Sequence, residues 1–182
     1  MQVHQTKYLL DIGFSPSVAV WALGAVSLLG IPGQIWLGHL SDRVGREWIW
    51  AASCAGFAIC FAALIALKYF PTSLLVWLMV VAQGALGYGL TSIMGAVVLE
   101  IFQGKHYGSI FGCVMLAALA GGAAGPWVTG ALHDLTGSYG IAFVIGIGVS
   151  ALSAMAIWMA SPGKIRAVAG QLHRIPARTT AG

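Results

Sequence analysis

The run Gly38-His39-Leu40-Ser41-Asp42-Arg43-Val44-Gly45-Arg46-Glu47 places two acids and two arginines between two apolar stretches. Its chemistry is ion pairing and helix-end recognition rather than bond making. Arg43 and Arg46 can reach phosphate or carboxylate oxygens. Asp42 is an acid in a basic connector, and an acid there can face the positive N-terminal end of a helix. The next such N-terminus outside this hairpin lies at residues 106–108, so a helix beginning there is expected opposite Asp42. Gly38 permits close helix approach, and Gly45 can supply the positive φ of a tight turn.

Other chemistries lack their residues. His4, His39, His106, His133 and His173 are scattered, with no metal-ligand spacing and no clustered carboxylates. No Ser-Gly dipeptide offers a nucleophile turn, and no phosphate-cradling G-x-x-x-x-G-K-[ST] loop occurs. His133-Asp134 are sequence neighbours whose side chains diverge, and they read as a turn in an outer loop. Neither an enzyme nor a bound cofactor is expected.

The elements that carry the connector are apolar. Asp, Glu, Lys and Arg form 8% of the 182 residues, against roughly 25% in an average soluble domain. Mean hydropathy is +0.88, and lipid must be the solvent for most of the chain. Residues 18–40, 48–67, 74–99, 107–132 and 140–160 are each long enough to cross a bilayer as a helix. None contains Asp, Glu, Lys or Arg. The runs are continuous and do not alternate with period two, which excludes barrel strands. Short connectors force neighbouring helices antiparallel. The expected fold is an all-α integral membrane bundle with a head at residues 1–17 and a basic tail at 161–182.

Orientation follows the basic residues. Arg43, Arg46, Lys105, Lys164, Arg166, Arg174 and Arg178 fall on one side, Lys7 and Lys68 on the other. The N-terminus is therefore expected outside a cell membrane and the C-terminus in the cytoplasm. The head has no signal-peptide pattern, and residues 8–14 read as a short helix or loop on the outer surface. The tail can touch anionic lipid head groups or simply fix topology. No basic face for nucleic acid forms, although the net charge is +4. Cys54, Cys60 and Cys113 lie in apolar stretches and read as small buried hydrophobes. The 25 glycines suit helices packed backbone to backbone, and Gly108 with Gly112 form one small-xxx-small pair.

Gly38, Leu40, Asp42, Arg43, Gly45 and Arg46 together resemble the G-x-L-x-D-R-x-G-R loop of the major facilitator superfamily of secondary transporters. The run Gly125-Pro126-Trp127-Val128-Thr129-Gly130, followed by Asp134, Gly137 and Tyr139, is similar to the link between the last two helices of such proteins. The likeness covers residues 18–160. It implies that the five runs correspond to the eighth to twelfth of twelve helices, with the head matching the outer end after the seventh. The N-terminal half and the seventh helix would then be missing partners, through truncation, a misplaced start or a split gene. Transport would proceed by alternating access. The alternative is a membrane fragment or assembly subunit that docks to a separate N-terminal half.

The resemblance also implies that the first, third and fourth runs line a path for a small solute. In the first, Ser27, Gln34 and Gly38 share a face, and Ile31-Pro32-Gly33 is expected to break the helix. In the third, Gln83, Gly87, Thr91 and Gly95 recur every fourth residue, with Tyr88 beside them. Both stripes equally suit helix packing, which the residue types favour. Pro126 kinks the fourth run beside Gly121, Gly122 and Gly125. Glu100 reads as a helix-end partner of Lys105. Carriers of small organic anions that resemble this chain keep an arginine inside the second helix of the half. Its absence here counts against an organic anion as the solute.

Overall fold

The computed structural model describes residues 2–102, 104 and 106–160. The basic tail and Lys105 lie outside the described residues. Six helices follow in order: α1 (Gln2–Asp11), α2 (Pro16–Val44), α3 (Arg46–Leu67), α4 (Ser73–Ile101), α5 (Tyr107–Thr136) and α6 (Gly140–Ala160). Among the described residues there is no strand. The last five helices are long and apolar enough to cross a membrane, so the chain is an all-α membrane bundle.

The termini of α2 follow from local chemistry. Ser15 accepts a bond from the Val18 N–H at 3.4 Å, and Pro16 stands in the first turn, where its missing N–H is harmless. Gly45 closes the helix with φ +110° and is also the residue before α3. The polar connector is therefore nearly all helix, and one glycine makes the reversal. The helix also runs without interruption through Pro32. The expected break is absent; Pro32 is exposed, and the cost is the carbonyl of Leu28 left without its helical donor.

The irregular segment lies in α4 instead. Ala82–Gly87 winds as a π-helix between regular α-helical parts, Ser73–Val81 and Gly89–Ile101. Glycines on both neighbours receive it. A Cβ on Gly33 of α2 would stand 2.7 Å from the Ala85 carbonyl oxygen, and one on Gly56 of α3 would stand 2.7 Å from that of Ala82. Gly84 in turn abuts the backbone of Val26. This three-helix crossing joins a core that includes Val26, Cys60, Leu64, Met79 and Val80.

α1 is more deeply packed than a surface segment. Tyr8 and Leu9 are buried, the Tyr8 hydroxyl donates to the Leu64 carbonyl at 2.8 Å, and the Gln5 amide reaches Met79 Sδ at 3.0 Å. Its apolar residues fill the space between α3, α4 and the start of α6, and this draws it inward. α5 is the opposite: none of its residues is buried. Cys113 on it is exposed, not a buried hydrophobe as expected. A Cβ on Gly108, Gly112, Gly121, Gly122 or Gly125 would meet nothing within 4 Å. The Gly108 and Gly112 pair therefore makes no close helix contact, although it lies in the first two turns of α5. α5 also continues through His133 and Asp134, which are helical rather than a loop turn, and stops at Gly137 with φ +67°.

Candidate functional site

The connector motif is organised around one side chain. Arg46 opens α3, and all three of its guanidinium nitrogens are engaged. Nε donates to Glu100 Oε1 at 2.7 Å, Nη1 to Ser41 Oγ at 2.9 Å and Nη2 to Asp42 Oδ1 at 2.9 Å. Ser41 is buried and passes its own proton to the Gly38 carbonyl at 2.6 Å. Arg46 thereby ties the end of α2 and the start of α3 to the end of α4. Its contact with Glu100 is well shielded, with 15% and 17% of the two side chains exposed, whereas Asp42 is 59% exposed. Geometry favours this use of arginine, whose planar fork can serve several acceptors at once.

Glu100 therefore pairs with Arg46 across the bundle. Sequence reasoning missed that pair and the role of Ser41. The available signal was position: Glu100 is the acid at the end of its run, level with the motif. Leu40 packs beside the cluster of Leu37, Ile49, Ile93, Val97 and Ile157. A Cβ on Gly38 would stand 3.6 Å from the Ser92 side chain, at ordinary contact distance. Arg43 stands in the last turn of α2, where a cation complements the helix dipole. α5 starts at Tyr107, whose hydroxyl donates to the Gly95 carbonyl of α4 at 3.2 Å.

The solute-path candidates divide into two groups. Gln34 of α2 and Thr91 of α4 meet directly: Thr91 Oγ1 stands 3.1 Å from Gln34 Oε1 and 2.7 Å from the Tyr88 carbonyl. The Tyr88 ring lies on Gly30, where a Cβ would come within 2.9 Å of it. Ser27 is on the same stretch of α2, with its hydroxyl bonded to the Leu23 carbonyl at 3.2 Å. Around this polar patch Leu28, Ile31, Ile35 and Trp36 are largely exposed.

Gln83 belongs elsewhere. It is buried and accepts from the Cys60 thiol of α3 at 3.5 Å. Gly87 faces Phe57 of α3, while Gly95 faces Tyr107 and Phe111 of α5. The every-fourth spacing therefore does not hold one face. Winding through i→i+5 changes the rotation per residue, so the π segment turns Gln83 away from Thr91.

A cleft of about 450 Å³ opens between α3, α5 and α6, lined by Phe57, Phe61, Gly125, Thr129, Phe143 and Gly146 among others. The Thr129 and Ser150 hydroxyls on its wall are satisfied by the carbonyls of Gly125 and Gly146 within their own helices. It is apolar and separate from the Gln34 patch. Pro126, the residue after the cleft-lining Gly125, does not interrupt α5, and its carbonyl lies 3.0 Å from His4 Nε2.

The chain is 28% identical over 148 residues to monocarboxylate transporter 13 of Rattus norvegicus, covering 79% of the chain and 33% of that protein. It is 29% identical over the same length to monocarboxylate transporter 13 of Bos taurus, with the same coverage of each. The chain thus spans about a third of the length of these curated relatives. No solved structure matches it. The Major Facilitator Superfamily model matches residues 5–178, taking in α1 as well as all five long helices. The chain is a multi-pass membrane protein and belongs to the Major Facilitator Superfamily.

Proposed function

We propose that this chain forms the C-terminal part of a secondary transporter that moves a small solute by alternating access, rocking against an N-terminal half supplied separately or by a longer polypeptide. It resides in a cell membrane with its N-terminus outside and the Gly45 turn and C-terminus in the cytoplasm. The residue groups divide as head (1–17), five-helix bundle (18–160) and tail (161–182). The observation that carries the reading is the contact of Gln34 with Thr91 beside Tyr88, a polar patch on an exposed apolar face of α2 and α4. Such a face is where a second half would close over a solute.

The relatives' name points to monocarboxylates. Arg, Lys, Asp and Glu are absent from the middle of every long helix, so the patch offers neutral donors and acceptors only. A carboxylate solute would find its cationic partner in the remainder of the carrier. Asp42, at the exposed edge of the Arg46 cluster, pins the cytoplasmic end of α2 towards α5 and favours one access state.

The test is uptake into proteoliposomes that hold the chain together with an N-terminal half of a superfamily carrier, using a labelled monocarboxylate. Gln34→Leu should raise the apparent KM several-fold, while Gln83→Leu should leave KM unchanged. Asp42→Asn should lower turnover with little change in affinity. Equal effects of the two glutamine changes would overturn the assignment of the patch. The fully unburied α5 favours a second reading, an assembly subunit that docks to a partner. Copurification with the N-terminal half without any uptake would select it.

A further inference from the structure

The cleft between α3, α5 and α6 lies apart from both the Arg46 cluster and the Gln34 patch. Close packing of α3 on α6 fixes its floor. The Phe61 ring lies on Gly146, where a Cβ would come within 2.6 Å of it, and Phe143 is buried with its ring 6.2 Å from that of Phe61. α5 stands off from this floor. A Cβ on Gly125 would meet nothing within 4 Å, and the gap left is the cleft of about 450 Å³. Val128 of α5 and Ile145 and Val149 of α6 line it and are exposed, so it opens sideways to whatever surrounds the helices.

Its chemistry disfavours water. A buried water needs about two to four polar partners, and the two hydroxyls on the wall, Thr129 and Ser150, already donate to carbonyls of their own helices. An empty gap would forfeit the dispersion contacts of the side chains that line it. Hydrocarbon is the filling that remains. The volume is about fifteen times the roughly 30 Å³ that one water takes in the liquid. A methylene is close to a water in size, so this is the bulk of one long acyl chain. The depth agrees. The lining stretches, residues 124–132 of α5 and 142–150 of α6, each rise about 12 Å. One leaflet of a bilayer offers about 15 Å of hydrocarbon. Polar residues continue the wall at the end opposite Gly45: His133 and Asp134 follow Leu132 on α5, and Ser138 stands just before α6. The Asp134 side chain is 83% exposed there.

We propose that this cleft holds one acyl chain of a membrane phospholipid from the leaflet opposite Gly45, with its head group level with His133 and Asp134. The order of the site, carbon below and exposed polar groups above, is the order of that lipid. α5 buries no residue of its own, and the chain supplies the packing between it and α6 that side chains do not.

The protein is reconstituted in nanodiscs of phosphatidylcholine that carries a photoreactive diazirine midway along one acyl chain, transferred to mild detergent and then illuminated. Transfer strips loosely held lipid. Leu116 and Leu119, exposed on α5 and outside the cleft lining, should lose their label several-fold, while Val128, Leu132 and Val149 should keep it, as read by peptide mass spectrometry. Gly125→Phe places a ring in the gap and should remove the retained label; Val149→Trp should do so from the other wall. Illumination before transfer serves as the folding control, since an intact bundle labels Leu116 as the parent does. Cleft label that washes out together with that of Leu116 would overturn the site. So would retained label undiminished in both folded variants. Its loss when an N-terminal half is present would give the cleft to protein and overturn the lipid.

Discussion

The crossing of α2, α3 and α4 and the helix α5 use the same residue type in opposite ways. At the crossing, Gly33, Gly56 and Gly84 sit against backbone, with carbonyl oxygens where a Cβ would be. Along α5, five glycines face open space. In a membrane no hydrophobic force draws helices together, so association depends on close packing and on polar contacts. The crossing has the first. α5 has only the second, at two places: Tyr107 to Gly95 at its start and His4 to Pro126 in its second half. One part of the bundle is thus a fixed body, and the other is a helix held at two points.

The contrast can be broken at its strongest joint. Arg46→Ala would leave Glu100 shielded without the guanidinium that holds it, a loss of about 3 kcal/mol for a pair this well covered. It should also loosen α2 from α4 together, since Ser41 and Asp42 lose the same partner. Thermal unfolding of the purified protein in detergent should show the drop, with Arg46→Lys recovering part of it. Full stability in Arg46→Ala would mean that the glycine crossing alone holds α2, α3 and α4.

A smaller effect is expected at the crossing itself. Gly56→Ala forces a methyl to within 2.7 Å of a backbone oxygen, and 2.6 Å of Leu86 Cβ. Overpacking of that kind costs roughly 1–3 kcal/mol. The same unfolding measurement checks it, and a neutral result would show that the π segment can move aside.

How much of this was legible beforehand depends on the length scale of each signal. The five long helices and the turn at Gly45 follow from apolar run length and one glycine, which act locally. The Arg46 to Glu100 pair joins residues 54 positions apart, and no local rule chose Arg46 over Lys105 as the partner of Glu100. The π segment was hidden for another reason. Gln83, Gly87, Thr91 and Gly95 fit an α-helical stripe, and only the glycines on α2 and α3 that receive the widened turn reveal that the spacing is broken. Pro32 misled in the opposite sense, since a proline on an exposed helix face removes one bond without ending the helix.

The smallest effect lies on α5 and carries the opposite sign. Gly121→Ala places a methyl where nothing stands within 4 Å, so no contact penalises it. Alanine also restricts the unfolded chain and favours helix over glycine by roughly 0.5–1 kcal/mol. If α5 is free along its length in the intact protein, Gly121→Ala should leave the melting temperature unchanged or slightly raised. A second half or a preceding helix packed on this face would reverse the sign, because the glycine would then be a point of close approach. Measuring Gly121→Ala on the chain alone and again with an N-terminal half present therefore reads out whether α5 acquires a partner. Destabilisation only in the second case would place that partner against the glycine face.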